Sequence, residues 1–375
     1  MDFGQSPEER SIQDVARRLA DLLAPGYVER DRAGVFPWKE LAMLGEASLL
    51  GLNVPEEAGG QGAGELITGM VCEIIASADY DVASLIWQAG STAKLLHRHG
   101  SDEVRERWLP PVLAGQAMAG FAFTEPGAGS DISAAVSTRA RRDGADWVLD
   151  GEKNSMSFNA SQLAIVLAGT PDGPAVFCVP TDSPGMTVAP YDDLGGRQNG
   201  RAVVTFDGVR VPDSARLGDP GRGVGQVLSV LGTSKVLVSA GAIGTASAAL
   251  RDAVAWAQDR STYGATLATR QGVMFPLVDM TTELEAARLL LHRTLWLADT
   301  GQPYRKDAAM VKAWVPALCT RICMQAMVTV GHVGFSREHP AQVRLRDVMV
   351  TEFGEGTANV QRIIVAREMT GVSPN

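Results

Sequence analysis

The chain has 375 residues, 45% hydrophobic and 21% charged, with a formal net charge of −9, which suits two or three globular domains around a sizeable core. The acidic balance argues against nucleic acid as a partner, because phosphate binding wants a basic face. Four scattered cysteines exclude a disulfide framework, and the five histidines do not pair with them at zinc spacing, so no metal site is expected.

Residues 1–10 are polar, without the apolar core of a secretory signal. The longest uncharged run, 236–250, is too short and too rich in Ala, Gly and Ser to span a bilayer. A soluble cytoplasmic protein with no membrane partner is expected.

Ser6-Pro7-Glu8-Glu9 has the form of a helix start, and Ile12, Val15, Ala16, Leu19, Leu22 and Leu23 then recur at helical spacing. Pro25 and Gly26 end that helix, and further helices are predicted over 38–44, 65–77, 84–99 and 103–113. From Phe121 the period changes. Strands are predicted over 121–123, 134–140, 146–150, 163–169, 175–180, 186–190 and 202–212, the second and third forming a hairpin about Asp143-Gly144. Gly218 to Gly225 is Gly-rich but lacks the strand–helix context of a dinucleotide loop, so it reads as a linker. Helical blocks over 227–260, 275–300, 305–329 and 340–369 suit a bundle. The expected fold class is α+β and multidomain: an N-terminal α-helical domain (1–118), a middle antiparallel β domain (119–222) and a C-terminal four-helix bundle (223–375).

Chemistry concentrates in a few stretches. Phe121-Ala-Phe-Thr-Glu-Pro-Gly-Ala-Gly-Ser-Asp131 runs from a strand into a turn whose glycines let backbone N–H groups approach a ligand. Gly151-Glu-Lys-Asn-Ser-Met-Ser157 follows, then Arg260-Ser-Thr-Tyr-Gly264, Gly331-His332, and Phe353-Gly-Glu-Gly-Thr-Ala-Asn359. In this order the stretches resemble the acyl-CoA dehydrogenase family.

The resemblance implies FAD as cofactor. Thr124 would hydrogen-bond the isoalloxazine edge, Phe121 would line the ring, and Ser157 would touch flavin N5. Arg260 would reach the pyrophosphate of a neighbouring subunit's FAD, with Tyr263 beside it, while Gly331, Thr357 and Asn359 complete the cofactor set. Ser130 would contact both cofactor and the pantetheine arm, with Lys235 and Gly356 joining it on the substrate side. Glu355 would be the catalytic base that removes the α-proton of an acyl thioester, while the β-hydrogen leaves as hydride to the flavin. Ser234 matches the position from which a related subgroup supplies its base, and a serine cannot do that work.

The sequence departs from the family pattern at Ser155, where Trp is usual, and at Thr262, Val328 and His332. The resemblance further implies a homotetramer acting on an acyl-CoA or acyl-carrier-protein thioester, with an electron acceptor such as electron-transfer flavoprotein. The missing aromatic at Ser155 raises an alternative, a flavin oxidase that uses O2. A paralogue acting as a binding protein is the other.

Overall fold

The computed structural model describes residues 6–134, 136–372 and 374; residues 1–5, considered above for a signal, and Ala135, within the 134–140 strand prediction, lie outside the described residues. Six helices come first: α1 (Pro7–Leu23), α2 (Tyr27–Ala33), α3 (Trp38–Glu46), α4 (Gly64–Ala76), α5 (Tyr80–His99) and α6 (Asp102–Leu113). The Glu9 amide donates to the Ser6 hydroxyl and the Ser6 amide to the Glu9 carboxylate, closing a reciprocal cap. Helix α5 starts at Tyr80 rather than at residue 84 because Asp79 caps it, accepting from the Val82 N–H at 3.2 Å.

The middle of the chain forms a sheet from β1 (Ala119–Ala122), β2 (Arg139–Asp143), β3 (Asp146–Ser157), β4 (Leu163–Thr170), β5 (Gly173–Pro180), β6 (Met186–Pro190), β7 (Arg201–Pro212) and β8 (Arg216–Leu217). The order is β6-β7-β3-β2-β4-β5-β8, with β1 also paired to β4. The β2–β3 hairpin turns where expected, with Gly144 at φ +65°. The sheet is not wholly antiparallel, however. Strand β1 runs parallel to β4, and β2 meets β4 in parallel at Arg139 and Gly169. The intervening β2–β3 hairpin acts as a crossover that returns the chain beside β1 in the same direction. Both faces of β4 are buried. Leu163, Ile165 and Leu167 pack towards Leu95 and Leu96 of α5, while Ala164, Val166 and Ala168 pack with Trp147, Phe177 and Phe206. That double burial explains why β4 reads as one apolar run.

The chain then returns to helices: α7 (Gly223–Asp259), a small hairpin of β9 (Ser261–Thr262) and β10 (Ala265–Thr266), α8 (Gln271–Asp299), α9 (Arg305–Val330), α10 (Pro340–Met349) and α11 (Ala358–Thr370). The fourth helix expected over 340–369 is two helices, so the four-helix reading becomes one of five. The break comes after the turn Val350–Glu352, where Glu355 (φ +58°) and Gly356 (φ +92°) are left-handed, a conformation no right-handed helix continues.

Helix α7 carries Ala, Gly and Ser at its contact positions, which brings it close to its neighbours. A Cβ on Gly244 would stand 2.1 Å from the Glu73 carbonyl oxygen of α4, and one on Gly241 would stand 3.0 Å from the Trp87 ring of α5. Taken whole, α7 and the stretch Arg305–Phe335 are each long and apolar enough to cross a membrane, unlike the run 236–250 considered alone. Buried residues make up 72% of the most apolar window of α7, as in a core helix.

A polar joint ties the sheet to both helical regions. The Gly196 N–H donates to Asp347 Oδ1 at 2.9 Å, the Gln198 N–H to Asp81 at 3.0 Å, and the Tyr27 hydroxyl to Asp347 Oδ2 at 2.7 Å. Arg346 grips Asp31 through two nitrogens at 3.0 and 2.6 Å. Burial pushes the carboxyls of Asp81 and Asp347 well above the ordinary range.

Gly244→Ala should lower the unfolding free energy by ~1–3 kcal/mol, because the new methyl meets backbone rather than a yielding side chain. Gly272→Ala in α8, where a Cβ meets nothing within 4 Å, should not lower it. Chemical denaturation of both variants checks the contrast.

Candidate active site

Strand β1 delivers the chain to Thr124, and β3 delivers it to Ser157. The Thr124 hydroxyl donates to the Asn154 carbonyl at 2.7 Å, and the Asn154 N–H returns a bond to the Thr124 carbonyl at 2.9 Å. Two of the stretches singled out in the sequence are therefore stitched side by side. Phe121 lies stacked on Phe123, ring centroids 4.9 Å apart and 23° between planes. Phe121, Thr124 and Ser157 are half-buried, whereas Ser130 stands exposed beyond the turn. Gly127 and Gly129 have no atom within 4 Å of where a Cβ would sit, so this flank of the turn is open.

Glu125, inside the same turn, is buried and structural. It accepts from Lys153 Nζ at 2.8 Å, from the Thr138 N–H at 2.9 Å, and from both the N–H and the hydroxyl of Ser137. Burial alone would raise its pKa, but these donors hold it down at about 2. The pair anchors the turn on β3, and Lys153 is fully buried.

A second cluster forms where α7, α9 and α11 meet the break after α10. Glu355 Oε1 accepts from the Ser234 hydroxyl at 2.6 Å. Its Oε2 is buried with no hydrogen-bond partner among the described residues. Burial raises the Glu355 pKa, opposed by the Ser234 hydrogen bond and by the charges of Lys235 and Lys312. Lys235 Nζ donates to Gln361 Oε1 at 3.5 Å. Lys312 Nζ donates to the carbonyls of Thr351 at 2.7 Å and Gly356 at 3.0 Å. Thr357 caps α11, accepting from the Val360 N–H at 3.5 Å.

The structure thus gathers Lys235, Glu355, Gly356 and Thr357 in one place, and Phe121, Thr124 and Ser157 in another. Tyr80, within electrostatic reach of Glu355, and Phe158, next to Ser157, belong to one hydrophobic core that links the two. Arg260, Tyr263, Gly331 and Asn359 are exposed. Tyr263 is 100% exposed at the tip of the β9–β10 hairpin, whose carbonyls at Thr262 and Tyr263 accept from Arg270. Among the described residues no hydrogen bond joins Arg260 or Tyr263 to either group. The Asn359 carboxamide accepts from Arg362 at 2.9 Å.

Three contributors escaped the sequence reading. Ser234 had been set aside as unable to act as base, yet it is hydrogen-bonded to Glu355. Lys312 lies in no motif, and Gln361 lies in the stretch that follows Glu355 but has no role assigned there. The signal for Lys312 was a single cation among Ala308, Ala309, Val311 and Val315, a helical stripe that would bury it.

Lys153→Met would leave the Glu125 carboxylate buried without its cation and should destabilise the fold by ~3–5 kcal/mol in a denaturant titration. Because the folded pKa of Glu125 is depressed, its contribution is fully present above the ordinary glutamate range and is lost as pH falls towards about 2. Acid unfolding should therefore steepen in that window in the native protein and flatten in Glu125→Gln.

Comparison with known proteins meets this geometry from outside. The chain matches the acyl-CoA dehydrogenase N-terminal domain over residues 6–116, the middle domain over 120–209 and the C-terminal domain over 221–370. It is 36% identical to the mitochondrial short-chain specific acyl-CoA dehydrogenase of Bos taurus over 365 residues, covering 95% of this chain and 88% of that one. It is 32% identical to the probable acyl-CoA dehydrogenase YngJ of Bacillus subtilis, over 98% of this chain and all of that one. A solved glutaryl-CoA dehydrogenase of Mycobacterium smegmatis in complex with FADH2 superposes with a TM-score of 0.93 at 27% identity, covering 99% of this chain and 96% of that one. With all three domains matched in sequence order, the chain belongs to the acyl-CoA dehydrogenase family, FAD-dependent oxidoreductases that act on the CH–CH group.

Proposed function

We propose that the chain dehydrogenates an acyl thioester between its α and β carbons, with Glu355 as the base. The observation that carries this reading is the Glu355 carboxylate, held at Oε1 by Ser234 while Oε2 is buried and has no partner among the described residues. A buried oxygen without a donor is costly unless a ligand meets it, and a C–H to be deprotonated needs such an acceptor. Burial raises its pKa towards the range where a carboxylate can take a weakly acidic proton at neutral pH.

The residues fit FAD. The stitched Thr124–Asn154 pair sets the Thr124 and Ser157 hydroxyls on adjoining segments, and the turn at Gly127 and Gly129 leaves room beside them. Phe121, Thr124, Ser130 and Ser157 would hold the flavin end, with Thr357 contributing from the opposite wall. Exposed Arg260, Tyr263, Gly331 and Asn359 suit contact with a cofactor shared across subunits. Bound there, FAD would supply the acceptor for the β-hydrogen, which leaves as hydride carrying both electrons. Gly356, Lys235 and Ser130 would lie along the thioester.

A homotetramer accords with apolar side chains left exposed on the last helices, among them Phe275, Leu289, Met324, Val328 and Met369. The four cysteines are all buried free thiols, which suits a cytoplasmic compartment. We assign the thioester to coenzyme A rather than to a carrier protein because the relatives described above are acyl-CoA dehydrogenases. The electron acceptor would be an electron-transfer flavoprotein. An oxidase is the second reading, favoured by one observation. Ser155 is small and half-buried where the family pattern has Trp, and beside it the Tyr191 hydroxyl donates to Asn154 Oδ1 at 2.9 Å. Peroxide release without an added acceptor would favour the oxidase; dependence on an added acceptor would favour the dehydrogenase.

The purified protein should bind FAD with a flavin absorption spectrum, and an acyl-CoA panel should bleach it. Glu355→Gln should keep the flavin and lose at least ~10²-fold in kcat. Because the base works only when ionised, kcat/KM should fall as pH drops through its raised pKa, and Ser234→Ala should move that limb to higher pH. Flavin bleaching by Glu355→Gln at the native rate would end the assignment.

A further inference from the structure

Lys312 is only 1% exposed, on a face of α9 that otherwise buries Ala308, Val311 and Val315. A buried ammonium is costly unless its protons are satisfied. Here they reach the carbonyls of Thr351 at 2.7 Å and Gly356 at 3.0 Å, which bracket Glu355 in the chain. Gln361, also 1% exposed, reaches the same segment from α11. Its Nε2 donates to the carbonyls of Glu355 and Gly356, both at 3.4 Å, and its Oε1 accepts from Lys235 at 3.5 Å. Between these carbonyls Glu355 sits at φ +58°, a left-handed backbone that costs a residue with a Cβ of order 1 kcal/mol or more. Such a conformation persists only where its surroundings over-determine it, and two buried side chains from two helices do so here.

We propose that Lys312 and Gln361 are positioning residues for the reaction: they hold the peptide groups on either side of Glu355 in the left-handed turn that aims its carboxylate, with Lys312 also supplying the charge that faces it from α9. The role rests on the reading of Glu355 as the base. The groups facing that carboxylate come from three elements. Ser234 and Lys235 lie on α7, Lys312 on α9, and Tyr80 on α5, while Glu352 on the turn after α10 lies within electrostatic reach of Lys312. Arg305 acts on Lys235 from the start of α9. Burial pushes Lys312 itself down to about 8, so it remains cationic at neutral pH. Losing that cation removes one of the charges that oppose the rise in the Glu355 pKa, which moves the acid limb upward.

Lys312→Met, Lys312→Arg, Gln361→Leu and Glu355→Gln are compared in the full-length, flavin-loaded enzyme, with amide hydrogen exchange over residues 353–358 followed in parallel. Lys312→Met should lower kcat by ~10-fold or more with little change in KM, since a misaimed base loses the transition state rather than the substrate. Its acid limb in kcat/KM should shift to higher pH, exchange over 353–358 should accelerate, and Lys312→Arg should recover part of each. Native kcat, pH profile and exchange in Lys312→Met would overturn the proposal. Should Lys312→Met fail to fold, Gln361→Leu decides, with faster exchange and lower kcat expected and native values overturning it. Activity retained in Glu355→Gln would instead remove the base reading, while the exchange data would still report whether the turn is held.

Discussion

Much of this structure depends on how closely α7 can approach its neighbours. Gly244 puts its backbone against the Glu73 carbonyl of α4, and Gly241 lets the Trp87 and Tyr80 rings of α5 lie on the helix itself. Those rings are nearly fully buried, with centroids 5.7 Å apart. A large side chain at either glycine would widen the gap, and the residues α7 carries upstream, Ser234 and Lys235, would move with it. The distances at Glu355 are in this sense set by packing two helical turns away, in a core too dense to absorb a displacement.

The site itself balances opposing electrostatic effects. Taking Glu355 out of water favours its protonated form, while a hydroxyl and two ammonium groups favour the carboxylate. Neither extreme would serve. A carboxylate fully satisfied by donors would be too weak a base, and one buried among apolar groups alone would stay protonated. The buried pair of Glu125 and Lys153 lies at the other extreme, with its carboxylate saturated by donors and its pKa held at about 2. The two glutamates illustrate how donor number separates a structural carboxylate from the one proposed as base.

The order of helices, sheet and helices was legible from periodicity, because amphipathic helices and short strands bounded by Gly and Pro announce themselves locally. The parallel pairing of β1 with β4 was not, since pairing direction is a property of the crossover and leaves no local trace. The break at Glu355 was hidden by the helical patterns on either side of it, and only Gly354, Gly356 and Thr357 hinted at it. Glu355, Thr124 and Ser157 were found through resemblance, since no spacing rule singles out a lone glutamate. Lys312 and the hydroxyl of Ser234 stayed hidden because their roles arise from contacts across 39 to 121 positions of sequence, whereas Gln361 reaches carbonyls only 5 and 6 positions back, around a turn that periodicity does not reveal. The joint made by the Gly196 and Gln198 N–H groups on Asp347 and Asp81 left no trace in the periodicity either, since it lies in a loop.

The left-handed backbone at Glu355 also bears on how such a site can drift. A glycine there would relax the turn, spare the chain a buried, half-satisfied carboxylate, and, on the proposed assignment of the base, give up the reaction. Stability and chemistry therefore pull this position in opposite directions. A lineage freed from the need to turn over substrate would be expected to lose the glutamate early while keeping the surrounding fold intact. On the proposed reading of Glu355 as the base, the strain there is tolerated for its chemistry and not for the fold.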